Sequence, residues 1–516
     1  MTAVSIFNHV IGPVMRGPSS SHTAGAFHIG AIARSLLGGP PASATIAFDR
    51  DGSYAKCYQQ QGADLAFAAG LMGWSITDER FPRALDAAAE AGPEIEFAVQ
   101  KLKEADHPNA VALRLSSPKG RTLHARANSI GGGAVEFVRI ADWPVHFTGD
   151  AHEIAVEVAR RAEAQALDLL TREGELIAEP ERRVRHGWSL LCVRRRSPLS
   201  REAKERLAAI RGFRELWAAE PVFFVQGGQA LFTSAEEMVR RSAERGVSLG
   251  RLALEYESTL LGLPAGDVLA EMERRFDIMQ RAVRRGLDAS PPRMQLLEPS
   301  AGGIYEAEAA GRLAIGGLHT RAAARALAVM HVNSGMGVVC AAPTGGSAGV
   351  LPAVVATLVE EKGLSREGAA LALLAAGAVG VVVANRATFA AEVAGCQVEI
   401  GAAGAMAAAA VVEAAGGTAQ QAADAAAIAF QNTMGSVCDL VQGIVEIPCH
   451  TRNAAAASNA FVCADLILGG YRNPIPLDET VDAVYAVGKM LPAELRCTAL
   501  GGIAATPSAR AMKRLE

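Results

Sequence analysis

Residues 368–385 carry no charged side chain and are mostly Ala, Gly, Leu and Val. No other run restricts the possible folds as sharply. A helix needs about 20 apolar residues to cross a bilayer, so this run sits near the lower limit of a span. Its small side chains offer little apolar area, whereas Ala and Gly let helix backbones approach closely. A helix buried inside protein is therefore expected, with no membrane span. The wider region 370–460 is equally rich in Ala and Gly and reads as a tight helical bundle.

A chain of 516 residues, half of them apolar, exceeds one ordinary core, so two or three domains are expected. The 50 basic and 54 acidic residues leave a net charge of -4, and no dense Lys/Arg stripe is present to neutralise phosphates. Nucleic acid is not an expected partner. The opening MTAVSIFNHVIGPVMRG lacks the basic start, apolar centre and small-residue cleavage site of a signal peptide, which points to the cytoplasm. In that reducing compartment the eight cysteines are expected to be free thiols.

Along the chain the reading is multidomain. Residues 1–141 mix short apolar runs with helical segments and Gly-rich turns, an α/β domain. Residues 142–228 read as a small ferredoxin-like βαββαβ module. Its expected members are the strand WPVHFTG, a helix capped by Asp150, strands in DLLTREGELI and WSLLCVRRR, a helix opened by Ser200, and the strand PVFFVQG. Residues 229–516 read as all-α, with apolar residues three and four apart between Gly/Pro turns.

Three cysteines in the helical part have the most suggestive neighbours: Cys396 in AGCQVEIG, and Cys438 and Cys449 in VCDLVQGIVEIPC. These spacings lack the C-x2-C knuckle of a structural zinc site. Three thiolates suit an iron-sulfur cubane with one iron left open as a Lewis acid, although buried free thiols are the blander reading of each cysteine. Cys340, Cys463 and Cys497 read as core thiols. The turn APTGGSAGV leads into an apolar helix, so the backbone around Thr344, Gly345 and Gly346 suits either a carboxylate at a helix N-terminus or tight packing. Ser19, Ser20, Ser21 and His22 read either as a helix cap with a surface histidine or as a proton-transfer group. Arg452 and Asn453 hold a substrate or cap a helix.

With these motifs in view, the chain resembles the iron-sulfur-dependent L-serine dehydratases, with the beta and alpha parts of that family fused. The residues that carry the resemblance are GCQ at Cys396, CD at Cys438, IPC at Cys449, HTRNAAAASNA (450–460), LRCTALGGIAATP (495–507), RGPSSSHTAG (16–25) and SIGGG (129–133). It covers nearly the whole chain and is weakest over 151–240, where such members carry an ACT regulatory module. The resemblance implies a 4Fe-4S cluster on Cys396, Cys438 and Cys449, with no pyridoxal phosphate. Independently of the family, no lysine lies between Lys204 and Lys362 to form a Schiff base in the first part of the helical domain. Implied catalytic residues are His22, Ser21 and Ser129. Implied substrate-binding residues are Ser19, Ser20, Thr344, Gly345, Gly346, Asn385, Arg386, Arg452 and Asn453. A homodimer acting on a small amino acid, L-serine or a close 3-hydroxy relative, completes the expectation.

Several positions depart from the family pattern. Gln59, Gln60 and Gln61 stand where a Lys-Gly-His run is usual, Arg386 replaces one of an Asn pair, Leu440 replaces a proline, and Gln442 replaces a small residue. Glutamine cannot shuttle a proton near neutral pH, so either the usual histidine is structural or the substrate differs; with Arg386 adding a bidentate carboxylate partner, a larger or more acidic 3-hydroxy amino acid than serine is the expectation. The tail MKRLE carries no cysteine, so the terminal-thiol protection of some relatives is expected to be absent. A cysteine desulfidase using a similar cluster and a catalytically inert amino-acid sensor are the competing readings.

Overall fold

In the computed structural model, which describes residues 3–172, 174–288 and 292–515, the α/β part is a six-stranded sheet. Its spatial order is Glu94–Gln100, Ser43–Asp49, Ala110–Ser116, Thr122–Gly131, Ala134–Ile140, Trp143–Phe147, and only the first pair runs parallel. Apolar residues at alternate positions, such as Ile46 with Phe48 and Val111 with Leu113, face a core shared with helices Gly25–Leu37 and Ala63–Met72. These helices touch backbone to backbone: a methyl group on Gly70 would lie 2.4 Å from the Phe27 carbonyl oxygen.

The last strand of this sheet corrects the boundary drawn at 141/142. Phe147 pairs with Phe137, and Trp143 with Ile140, so residues 143–147 complete the first sheet and the smaller module begins after them. That module has the expected βαββαβ order in shifted members: His152–Ala159, Glu163–Arg172, Glu181–Arg185, Trp188–Arg195, Arg201–Ala208, Phe213–Ala219. Its sheet is fully antiparallel, in the order Phe213–Ala219, His152–Ala159, Trp188–Arg195, Glu181–Arg185.

HEIAVEVA is thus a strand where a helix capped by Asp150 was expected, and Asp168–Arg172 of DLLTREGELI ends a helix instead of forming a strand. PVFFVQG lies outside every strand. The physical reason is burial on both faces. Ile154, Val156 and Val158 pack on the module's own helices, while Ala155, Cys192 and Trp217 pack against the α/β core. A strand covered on both sides loses the apolar-polar alternation that would reveal it. Ser200 does cap the second helix, accepting from the Ala203 N–H.

The remainder is a helical bundle around Arg366–Arg386 and Ile400–Ala414. Two stretches, Arg366–Arg386 and Cys396–Ala414, are long and apolar enough to cross a membrane, yet 78% and 89% of their apolar windows are buried inside the protein. The all-α expectation needs one correction, because Val338–Cys340 is a short strand pairing antiparallel with Val14–Arg16. The N-terminal segment also enters the bundle. Ile6, Phe7, Val10 and Ile11 belong to the helical core, and buried Glu257 accepts hydrogen bonds from the Ser5 hydroxyl and the N–H groups of Ile6 and Phe7. The α/β and helical parts are therefore interlocked just before the SSSHT turn.

Candidate active site

SSSHT forms one helical turn capped by Ser19, whose hydroxyl accepts from the His22 N–H at 3.1 Å. His22 is fully buried, so the surface reading of this histidine does not hold. Its Nδ1 lies 3.1 Å from the Ser21 hydroxyl and 3.4 Å from Glu392 Oε1, and its Nε2 lies 3.2 Å from the Ser53 hydroxyl and 3.4 Å from Cys57 Sγ. The ring stands edge-on to Tyr54. Ser21 and Asn109 both donate to Glu392, at 2.5 and 3.1 Å. Burial alone would raise the Glu392 carboxyl, but His22, Ser21 and Asn109 outweigh it and hold the group below the ordinary carboxylate range. Burial is the largest influence on His22 and lowers it despite the nearby carboxylate. Ser129 donates to the Ser21 carbonyl at 2.8 Å, which fixes the turn.

Glu392 opens the loop that carries the first cysteine of the trio. Gly395, with φ 77°, reverses the chain, and Cys396 begins a short helical turn. Gln397 stitches this loop to the next segment, donating to the Ala394 carbonyl and accepting from the Gly435 N–H, both at 2.9 Å. Cys438 is held by its own N–H to the Leu495 carbonyl and by its carbonyl to the Cys497 N–H, both 2.9 Å. Cys449 starts the helix Cys449–Leu468, whose next turn supplies Arg452 and Asn453. All three thiols are buried. Cys396, Glu399 and Cys438 bring one ligand atom each within 4.8 Å of one another, a group able to hold a metal ion. Cys449 lies outside that tight group but within electrostatic reach of Cys396 and Glu399.

The electrostatics set Cys396 apart from its neighbours. A hydrogen bond from Cys438, aided by Arg452, lowers Cys396, whereas Cys438 is raised by its bonds to Cys396 and Cys497. Burial and the charges of Cys396 and Glu392 push Glu399 well up. Arg452 is anchored by the Val437 carbonyl and Asp439, at 2.7 and 3.0 Å, so its charge is fixed beside the thiols. Asn453 ties the Gly-rich turn to the cysteine helix, donating to the Gly346 and Cys449 carbonyls at 2.8 and 2.9 Å and accepting from the Gly349 N–H at 3.1 Å. A methyl group on Gly345 would lie 2.8 Å from the Pro18 carbonyl and 2.9 Å from the Ser20 N–H nitrogen, so the Gly-rich turn rests directly on SSSHT.

Sequence-expected residues thus meet around one centre: Ser19, Ser20, Ser21, His22, Ser129, Thr344, Gly345, Gly346, Arg452, Asn453 and the three cysteines. Two do not join it. The Arg386 guanidinium is engaged with Asp482 at 3.0 Å and with Asp478 at 3.7 Å, and the Asn385 amide donates to the Val381 carbonyl of its own helix. The departure at Gln61 does reach the site, where its amide donates to Cys57 Sγ and the Gly443 carbonyl, both at 3.2 Å. Gln442 points outward to the Met512 carbonyl. Sequence reasoning missed Glu392, Glu399, Ser53, Asn109, Cys57 and Cys497. A signal existed for the first two, which flank Cys396 four residues before it and three after it. Cys497, read as a core thiol, instead contacts the Cys438 thiol.

Soft sulfur donors from separate segments, closed in with a histidine-carboxylate pair and an arginine, define an enzyme centre suited to iron-sulfur chemistry. Comparison with known proteins agrees. The serine dehydratase alpha chain family matches residues 200–504, and the chain belongs to that family. It is 38% identical over 284 residues to the probable L-serine dehydratase alpha chain of Bacillus subtilis (strain 168), covering 55% of this chain and 95% of that one. The L-serine dehydratase alpha chain of Peptoniphilus asaccharolyticus is 35% identical over 285 residues, 55% of this chain and 98% of its own. The probable L-serine dehydratase beta chain of Bacillus subtilis (strain 168) is 40% identical over 152 residues, 30% of this chain and 67% of its own, so similarity to both chain types lies in one polypeptide.

Proposed function

We propose that this enzyme dehydrates and deaminates L-serine to pyruvate and ammonia, with Cys396, Cys438 and Cys449 holding a 4Fe-4S cluster. The observation that carries this reading is the convergence of the SSSHT turn, the Gly-rich turn and three buried thiols on one enclosed centre. The donor set fits the group: soft thiols, low exposure, and Arg452 to offset accumulated negative charge. When bound, the cluster supplies a Lewis-acidic iron for the substrate carboxylate and β-hydroxyl, so no pyridoxal phosphate is required.

The protein's own groups account for the rest. In the Gly-rich loop the N–H groups of Thr344, Ser347, Ala348 and Gly349 are committed to Ser347, Thr344, Gly345 and Asn453, which leaves those of Gly345 and Gly346 for a substrate carboxylate. Neutral His22 is the base for the Cα proton, and Glu392 stabilises the imidazolium that forms. Ser19, Ser20, Ser21 and Ser129 shape the turn that presents it. Burial excludes water until the aminoacrylate has formed, after which tautomerisation and hydrolysis release ammonia.

With Arg386 held by Asp482, the case for a larger acidic substrate loses its cation, and L-serine is the substrate proposed. We further propose that the βαββαβ unit is an ACT-like regulatory module and that the enzyme is a cytoplasmic homodimer. The test is anaerobic purification followed by iron and acid-labile sulfide analysis, an absorption spectrum with and without L-serine, and ammonia release from L-serine, L-threonine and 3-hydroxyaspartate. Iron, sulfide and a serine-dependent spectral change are expected, with fastest turnover of L-serine. A colourless, iron-free protein, or sulfide release from L-cysteine faster than serine turnover, would reject the proposal.

A further inference from the structure

Beyond the three cysteines assigned to the cluster, two more thiols face the same centre, and their surroundings differ. The Cys57 sulfur is engaged by the Ser53 carbonyl at 3.4 Å, by His22 Nε2 at 3.4 Å and by the Gln61 amide at 3.2 Å, all on the α/β side. Cys497 instead lies beside the Cys438 thiol. Its backbone runs beside that residue: the Cys497 N–H donates to the Cys438 carbonyl at 2.9 Å, and Arg496 forms a parallel bridge with Cys438. The Ser53 hydroxyl donates to the Cys497 carbonyl at 3.3 Å, and the Gln61 amide nitrogen stands 4.0 Å from its sulfur.

Between these bonds Cys497 adopts φ 61°, in the left-handed region that side-chain-bearing residues rarely occupy. Such a conformation persists where the surroundings over-determine it, and here they turn a buried thiol toward the cluster cysteines.

On the reading that Cys396, Cys438 and Cys449 hold a 4Fe-4S cluster, we infer that Cys497 is a fourth, displaceable thiolate that occupies the open iron in the resting enzyme and yields it to substrate. Cys497 loses its thiol proton to solvent when it binds. When L-serine enters, the sulfur-iron bond breaks as a substrate oxygen takes its place, and the freed thiolate regains a proton; no electron is transferred. The Gln61 amide, positioned between Cys57 and Cys497, donates toward the released sulfur. The resting cluster is thereby closed to oxygen by a thiol from within the fold, a route separate from the terminal-thiol protection expected to be absent.

The test is Mössbauer spectroscopy of enzyme loaded anaerobically with 57Fe, comparing wild type, Cys497→Ala, Cys497→Ser and, as a distant control, Cys463→Ala. Wild type without substrate is expected to show four thiolate-bound irons, with one iron in four becoming distinct on adding L-serine. In Cys497→Ala and Cys497→Ser that distinct iron is expected before any substrate is added, at unchanged iron content, together with a several-fold shorter cluster lifetime in air and a several-fold lower KM. Cys463→Ala is expected to match wild type. A distinct iron in substrate-free wild type, unchanged by either Cys497 substitution, would overturn the inference while leaving the cluster in place. Wild type that binds no iron would instead sink the functional proposal itself, and this inference with it.

Discussion

At the scale of single residues, the catalytic question turns on His22 and the carboxylate beside it. Glu392 touches no substrate in the proposed scheme; it positions His22 and offsets the charge the ring gains. Replacing it as Glu392→Gln keeps the acceptor for Ser21 and Asn109 but removes the charge that raises His22, so burial lowers the imidazole further. We expect kcat to fall about 10- to 100-fold with little change in KM, and the acid limb of the pH-rate profile to move to lower pH. An acid limb that stays in place would show that Glu392 does not tune the titrating base. Cys396, Cys438, Cys449 and His22 were singled out through the family motifs they sit in, since on local spacing alone the cysteines read equally as buried thiols and His22 as a histidine in a helix cap. Cys497, Cys57, Ser53 and Asn109 were not. Their part in the site arises from folding, which brings 53–61, 109, 392–399 and 495–497 together, and no local spacing encodes that meeting.

At the scale of elements, the two turns that form the site work as a pair of fitted surfaces. The Gly-rich turn can rest on SSSHT only because Gly345 has no side chain, the nearest obstacles being backbone atoms of Pro18 and Ser20 that cannot rotate away. Gly345→Ala must push the turns apart by a few tenths of an ångström, at a cost of about 1–3 kcal/mol. A thermal midpoint lowered by a few degrees and a several-fold rise in KM for L-serine are expected, read by calorimetry and steady-state kinetics. Wild-type values for both would argue that the turns are not in working contact. Legibility at this scale followed burial. The outer helices of the bundle and the cap at Ser200 were readable because they have a solvent side or a polar cap, and the buried helix Arg366–Arg386 was readable from its long run of small apolar residues. His152–Ala159 was misread because its two faces are both covered, one by the module's helices and the other by the α/β core, so its strand period left no mark. The string βαββαβ was recovered although its members were displaced, which shows that element order can be right while register is wrong.

At the scale of the molecule, buried titratable groups make stability depend on pH in opposite senses, and the sum can be taken apart by substitution. His28 is buried in the α/β half with Nδ1 donating to the Gly133 carbonyl, and burial lowers it to about 4 from 6.5. Because its folded value lies below its unfolded one, its contribution is complete above pH 6.5 and is lost as pH falls toward 4. His450, at the head of the bundle, behaves alike, lowered to about 3 by burial. Glu153 has the opposite sign. Burial and then the charge of Asp150 raise it to about 7, so its contribution is complete below its unfolded value of 4.5 and is lost as pH rises through 7. Acidification from pH 7 to pH 5 therefore costs stability at the two histidines and restores some at Glu153. Each group moves by about 2 kcal/mol over that interval, since a tenfold change in proton affinity on folding corresponds to about 1.4 kcal/mol. His28→Asn, which keeps a donor for Gly133, should reduce the loss on going from pH 7 to pH 5 by about 2 kcal/mol, whereas Glu153→Gln should increase it by a similar amount. Urea unfolding of both variants at the two pH values measures these differences. Changes of the same sign in the two variants would contradict the assignment of neutral imidazole and protonated carboxyl to these buried sites.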